Sequence, residues 1–287
     1  MKVSIELKNV VKRFGKVTAL DNVTVTFGGN KIYGLLGRNG AGKTTLLSII
    51  TSRLFADEGE VLVDGEPARE NDRAMRKIYM MGEATLYPEN MRVGDVFRWT
   101  REFYPEFSLD YAFSLADSFK LDCRKKVKSL STGYTSILKN IVALSSNAEY
   151  TLLDEPVLGL DANHRDMFYR LVIEKYAERQ NTIVLSTHLI EEVSEVIEDV
   201  VIIDGGKIIF DGSRADLLAH GYSVLGSTEL VNRYAEGRTV IGSESLGGMK
   251  KAYIWGKPEQ DGVPDGLELS SVDLQRLFIQ LTNARQN

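Results

Sequence analysis

Gly37-Arg38-Asn39-Gly40-Ala41-Gly42-Lys43-Thr44-Thr45 packs three glycines, a lysine and two hydroxyls into one short stretch. Without Cβ atoms in the way, successive backbone N–H groups can turn inward around phosphate oxygens. Lys43 is placed to reach the β- and γ-phosphates of a nucleotide, and the Thr44 hydroxyl to ligate Mg²⁺. The apolar run Ile32-Tyr33-Gly34-Leu35-Leu36 before it reads as a strand, and Leu46-Leu47-Ser48-Ile49-Ile50 after it as the start of a helix. That strand, turn and helix order is the context the chemistry needs, because the helix N-terminus adds its positive dipole end. A second group suited to the same reaction lies ~110 residues downstream. There Tyr150-Thr151-Leu152-Leu153 runs into Asp154-Glu155-Pro156. At the C-terminal edge of a strand beside the phosphate loop, Asp154 can hold Mg²⁺ through water. Glu155, one residue on and facing differently, can polarise the water that attacks the γ-phosphate. Both groups together predict a nucleoside triphosphate and Mg²⁺ as ligands.

The elements that must position these residues follow from periodicity. Residues 2–8 and 22–27 alternate apolar and polar, as half-buried strands do, and 59–65 reads as a short strand closed by a turn. From Val93 to Ser146 strand signals vanish and apolar residues recur at helical spacing, broken near Pro105 and Ser108, which predicts a mostly helical insertion. Apolar strands return at 150–153, 182–186 and 200–203, with a helix carrying Met167, Phe168, Leu171, Val172 and Tyr176 between the first two. Buried strands alternating with helices imply a parallel sheet covered on both sides. Beyond Leu217 the pattern weakens into glycine-containing segments and a final helix from Ser271 to Asn283.

Composition narrows the class. The chain has 287 residues, 43% hydrophobic and 26% charged, with a net charge of −5. Such a balance carries no electrostatic footprint for nucleic acid, and the short basic cluster Arg124-Lys125-Lys126 with Lys128 reads as a solvated face. A single cysteine, Cys123, excludes an internal disulfide and suits a reducing compartment. No apolar run approaches the ~18–20 residues that span a bilayer, so the expected place is the cytoplasm, with any membrane role reached through a partner.

Leu130-Ser131-Thr132-Gly133-Tyr134 precedes a predicted helix and resembles the Leu-Ser-Gly-Gly-Gln signature of ABC transporter ATP-binding subunits. The order of phosphate loop, helical insertion, signature and Asp-Glu over about residues 1–215 is similar to that family. The resemblance implies a P-loop NTPase ABC-type α/β core with a mostly parallel sheet and flanking helices. It adds an antiparallel β subdomain, a helical subdomain inserted at about 90–146, and a small C-terminal extension at 216–287. It also implies ATP hydrolysis, with Lys43, Glu155 and His188 catalytic, His188 matching the switch histidine at the γ-phosphate. Phe14 matches the aromatic that stacks on adenine, and Gly159-Leu160-Asp161 the dimer-interface loop. Ser131, Thr132 and Gly133 would meet the γ-phosphate of a second subunit's ATP, through a helix N-terminus that Ser131 can cap.

Departures from the pattern are specific. Thr132 replaces a glycine, Tyr134 the glutamine of the signature, and Leu158 a serine of the dimer-interface loop. Alignment of 77–88 puts Gly82 at the glutamine of the Q-loop, with Glu83 adjacent as a substitute metal or water contact beside Thr44 and Asp154. One set of motifs requires a second ATP-binding subunit, in a homodimer or a heterodimer. A polytopic membrane permease is the further implied partner, with the chain on the inner face of the membrane. Phe97, Trp99, Phe103 and Tyr104 either line its docking groove or form the packed core of the insertion. The tail 269–282, with Leu274, Leu277, Phe278 and Leu281 at helical spacing, resembles ABC-2-type exporter ATPases. A soluble ABC ATPase of a non-transport assembly is the alternative.

Overall fold

The computed structural model describes residues 3–258 and 263–284. Two compact units form, one from residues 1–188 and 201–211, the other from 189–200 and 212–287.

The first unit begins with a hairpin, β1 (Ser4–Phe14) and β2 (Val17–Gly28), pairing Ser4 with Gly28 and Phe14 with Val17. Then come β3 (Ile32–Leu36), α1 (Lys43–Ile50), β4 (Glu58–Val63), β5 (Glu66–Pro67), α2 (Asp72–Met75) and β6 (Ile78–Met81). The helical stretch holds α3 (Val93–Phe103), α4 (Leu109–Ser118), a 3₁₀ turn at Val127–Ser129 and α5 (Thr132–Ser145). The chain continues through β7 (Tyr150–Asp154), α6 (Ala162–Arg179), β8 (Thr182–Thr187), α7 (Ile190–Val193), β9 (Asp199–Asp204) and β10 (Lys207–Ser213), with α7 belonging to the second unit.

An antiparallel sheet orders β2-β1-β4-β5, and a six-stranded sheet orders β10-β9-β3-β8-β7-β6. In the latter, β3 with β8, β8 with β7 and β7 with β6 are parallel. Strands β3, β6, β7 and β8 are buried at every residue, which is why each reads as a near-continuous apolar run. Register then decides the chemistry. Leu36 pairs with Thr187 and Asp154 with Ser186, so the C-terminal ends of β3, β8 and β7 finish level. The phosphate loop, His188 and the Asp154-Glu155 pair all leave the sheet along that one edge, where open α/β sheets bind ligands.

Helices of the insertion present apolar faces to one another: Val93, Val96 and Phe97 on α3, Ala112, Leu115 and Ala116 on α4, and most of α5 are buried. Ser108 caps α4 by accepting the Tyr111 N–H, the stop and restart anticipated at that position.

In the second unit, α8 (Arg214–Ala219), β11 (Gly221–Ser227), α9 (Thr228–Ala235), β12 (Thr239–Leu246), β13 (Met249–Trp255), β14 (Glu268–Ser271) and α10 (Leu274–Asn283) follow. Its sheet orders β12-β13-β11-β14 with every neighbouring pair antiparallel. Strands β11 and β12 are therefore parallel with β13 between them, a split βαβ arrangement closed by α9. Tyr222, Val224, Val231, Tyr234, Ala252 and Ile254 form its core, and α10 packs on α7 and α8. Weak glycine-containing segments were the expectation for this region; a four-stranded sheet is the finding. The signal was faint because β12 is mostly exposed and a bulge between Val240 and Gly242 breaks its alternation. The last helix starts at Leu274, not Ser271, because the Asp273 carboxylate caps it by accepting the Arg276 N–H.

Candidate functional site

Residues 37–42 turn from β3 into α1. The N-cap of α1 is Gly42 at φ +113°, a backbone that a side chain rarely adopts. A Cβ there would also stand 2.7 Å from the Ala19 carbonyl oxygen, so only glycine fits. Lys43 opens the helix and is buried. Its ammonium donates to the Gly37 carbonyl at 2.7 Å and lies 3.7 Å from Glu155 Oε1. Burial pulls the Lys43 pKa down, against the pull of Glu155 and Asp154 upward.

Asp154, at the end of β7, is only 3% exposed. It accepts the Thr44 hydroxyl on Oδ2 and the Ser186 hydroxyl on Oδ1, each at 2.7 Å. The first bond ties the phosphate loop to the strand end. Glu155 follows in left-handed backbone at φ +48°, which costs on the order of 1–3 kcal/mol and aims its carboxylate at Thr187 and His188. Oε2 of Glu155 accepts the Thr187 hydroxyl at 3.2 Å and meets His188 Nδ1 at 2.9 Å. Lys43, Thr44, Asp154, Glu155 and His188, read one by one from the sequence, are thus brought together. A hydroxyl and a carboxylate side by side are hard oxygen donors of the kind Mg²⁺ takes. Among the described residues no group of three or more His, Cys, Asp or Glu could hold a metal ion by itself. A divalent ion here would draw its remaining ligands from phosphate and water.

Glu155 and Asp154 open into a cleft of about 310 Å³, whose wall also carries Glu83, Thr132, Ser136 and Lys139. Ser131 caps α5, its hydroxyl accepting the Tyr134 N–H at 3.3 Å. The next turn meets the loop after β7: a Cβ on Gly133 would stand 2.8 Å from the Gly159 carbonyl oxygen, and the Ser136 hydroxyl donates to the Leu158 carbonyl at 2.8 Å. Asp161 caps α6, accepting the His164 N–H at 2.9 Å. Phe14 is half-exposed at the end of β1, with the Lys12 ammonium 5.6 Å from its ring centre. Neither Phe14 nor Asp161 lines the cleft.

Gly82 and Glu83 part company. Gly82 lines a separate apolar groove of about 200 Å³, together with Arg53, Tyr87, Trp99, Phe103 and Tyr104, while Glu83 lines the cleft. Phe97, grouped with these aromatics on its spacing, is instead fully buried, edge-on to Phe113 at 5.4 Å between ring centres. Within the groove wall the Tyr79 and Tyr87 hydroxyls share a hydrogen bond at 3.0 Å. Burial raises Tyr79 well above the ordinary tyrosine value and Tyr87 to about 12, so both stay neutral.

Three participants were missed from the sequence. Ser186 and Thr187 act through β8, whose hydroxyls only its register with β7 reveals. Lys139 was legible in principle, as a lone cation inside the apolar stripe Ile137-Leu138 and Ile141-Val142.

Known proteins with this arrangement agree on its kind. The ABC transporter family model matches residues 20–158. ABC transporter ATP-binding protein YtrB of Bacillus subtilis is 29% identical over 204 residues, 71% of this chain and 70% of its own. Sulfate/thiosulfate import ATP-binding protein CysA 1 of Chromobacterium violaceum is 31% identical over 259 residues, 85% of this chain and 72% of its own. The fold matches a dimeric ATP-binding cassette in a post-hydrolysis state bound to ADP and phosphate, with a TM-score of 0.66 and 22% identity over 73% of this chain and 98% of that one. With the Thr44–Asp154 bond and the Glu155–His188 pair on a fold of this type, the chain belongs to the ABC transporter ATP-binding family, whose activity is ATP hydrolysis.

Proposed function

We propose that this chain works in a pair of ATP-binding subunits that close on ATP, hydrolyse it and drive a separate polytopic permease at the inner face of the membrane. The bond between Thr44 and Asp154 carries this reading, because it sets the phosphate loop and the catalytic strand end in one frame. Backbone N–H groups of Gly37–Thr45 and the Lys43 ammonium take the β- and γ-phosphates. Thr44 and Asp154 would hold Mg²⁺, which supplies charge neutralisation across the phosphates, with Glu83 facing the same cleft. Glu155 orients the attacking water and receives its proton, while His188, hydrogen-bonded to that carboxylate, fixes its direction and faces the γ-phosphate. Ser131, Thr132 and Gly133 present a capped helix N-terminus to the ATP of the partner subunit, and the Asp161 loop meets that subunit.

Among the described residues no helix is long and apolar enough to cross a membrane. Transport therefore needs a permease, and the groove beside Trp99 and Phe103 is where it would dock. The exporter-type reading rests on the tail resemblance alone, and several relatives, among them those for sulfate/thiosulfate and for ribose, carry names of importers. The test is capture from solubilised native membranes with ATP and Glu155→Gln, which arrests the closed pair. Recovery of a polytopic protein supports the reading; soluble partners alone would replace transport with a soluble assembly.

A further inference from the structure

Lys139 sits in the middle of α5, a stretch buried from Ser136 to Ser145. Removing an ammonium from water costs several kcal/mol unless strong acceptors replace the water. The acceptors are two backbone carbonyls: Gly82 O at 3.0 Å and Glu83 O at 2.8 Å. Glu83 and Asp154 are the carboxylates whose charge acts on it most, in opposition to its burial.

The segment after β6 is a partition. Gly82 and Ala84 line the apolar groove, Glu83 and Thr85 line the catalytic cleft, and Lys139 belongs to both walls. Three carboxylates, Glu83, Asp154 and Glu155, face one cleft, so Glu83 stays there only if its backbone is held against their repulsion. Arg53 holds the Met80 carbonyl at 3.2 Å, and among the described residues the side-chain hydrogen bonds to the 82 and 83 carbonyls come from Lys139. Gly82 has no side chain to bond with, and its backbone does not demand glycine: φ lies outside the left-handed region, and a Cβ would meet only Arg53 Nη1 at 3.7 Å and Met80 Cε at 3.9 Å, ordinary contacts.

We propose that Lys139 is a positioning residue for ATP hydrolysis, fixing the backbone of residues 82–83 from α5 so that the Glu83 carboxylate faces the catalytic cleft. The inference rests on the ATPase reading above. Its fixed anchor on one side is the helix that carries the Ser131 cap, so the partition moves with the signature turn.

The test uses the full chain with Lys139→Met and Lys139→Arg. Lys139→Met is expected to lower kcat at least about tenfold with KM for ATP within about twofold, and Lys139→Arg to stay within about threefold of the parent. Amides of residues 82–86 are expected to exchange with deuterium at least about tenfold faster in Lys139→Met than in the parent or the arginine variant. Where Lys139→Met does not fold, Lys139→Gln, a shorter side chain that reaches one carbonyl at most, carries the same expectation. Unchanged exchange at 82–86 overturns the proposal whatever the turnover. So does a parallel loss of kcat and ATP affinity that arginine fails to recover. A parent that releases no phosphate defeats the ATPase reading instead, and the exchange comparison still decides whether Lys139 fixes the loop.

Discussion

Glu155 shows how a single φ angle assigns chemistry. In a regular strand it would point to the opposite face from Asp154, away from the nucleotide edge; at φ +48° its carboxylate reaches His188 and Thr187 instead. Glu155→Gln keeps the shape and removes the proposed base. Its kcat for phosphate release is expected to fall about 10²–10⁴-fold while the affinity for ATP, read by titration with a fluorescent analogue, stays within about threefold. Turnover like that of the parent would sink the assignment of Glu155. At this scale the sequence was most readable where function is local. Gly37–Thr45 and Asp154-Glu155 are contiguous, and their spacing states their chemistry. His188 was reached only through family likeness, since a lone histidine after a strand has many uses. Ser186 was invisible because it acts on a residue distant in the chain, and Lys139 showed only as a cation out of place in an apolar stripe.

Among the elements, one carboxylate touches several strands of the first unit at once. Asp64, in the turn between β4 and β5, accepts the Tyr150 hydroxyl from β7, the Lys77 ammonium from the approach to β6, and the Ser4 N–H of β1 at 3.1 Å. It thereby links the antiparallel sheet to the parallel one. Burial opposes its ionisation, but these hydrogen bonds outweigh that and hold Asp64 below the ordinary carboxylate range. A pKa lower in the folded than in the unfolded state stabilises the fold above the unfolded value, and that contribution disappears as pH falls through the folded one. Asp64→Asn is therefore expected to cost about 1–3 kcal/mol at neutral pH, with the gap to the parent closing as pH falls through the folded-state pKa, in urea titrations at neutral and at acid pH. A gap that persists in acid would show that Asp64 acts through shape alone. Phe97→Ala, which empties a fully buried position on α3, is expected to cost about 3–5 kcal/mol in the same titration. Parallel strands and inserted helices were legible as elements because each carries a long, consistent apolar period. Core and groove stayed open for Phe97, Trp99, Phe103 and Tyr104 because a core face and a groove face look alike in one dimension; the structure divides them, Phe97 to the core and the other three to the groove.

At the scale of the whole molecule, the second unit is interleaved with the first. Its first piece, residues 189–200 with α7, comes directly after His188, and its second runs on from Gly212. The split βαβ sheet escaped the sequence reading because a small sheet with one mostly exposed strand buries too few alternating residues to announce itself. Interleaving means the second unit cannot be removed by shortening the chain. A protein ending at Asp211 retains α7 without α10, leaving Ile190 and Val193 without that helix. It is expected to partition largely into the insoluble fraction and, where soluble, to bind a hydrophobic dye; a monodisperse, cooperatively melting product would contradict that. The same topology imposes an order in time. Helix α10 begins 81 residues after α7 ends (274 − 193), so at 5–20 residues per second a ribosome delivers it roughly 4–16 s later. For that interval Ile190 and Val193, beside His188, are open to chaperones, and a translational pause between codons 212 and 273 lengthens it. Synonymous codon changes in that stretch, which leave every residue of the mature protein untouched, become a lever on how much of it reaches the folded state.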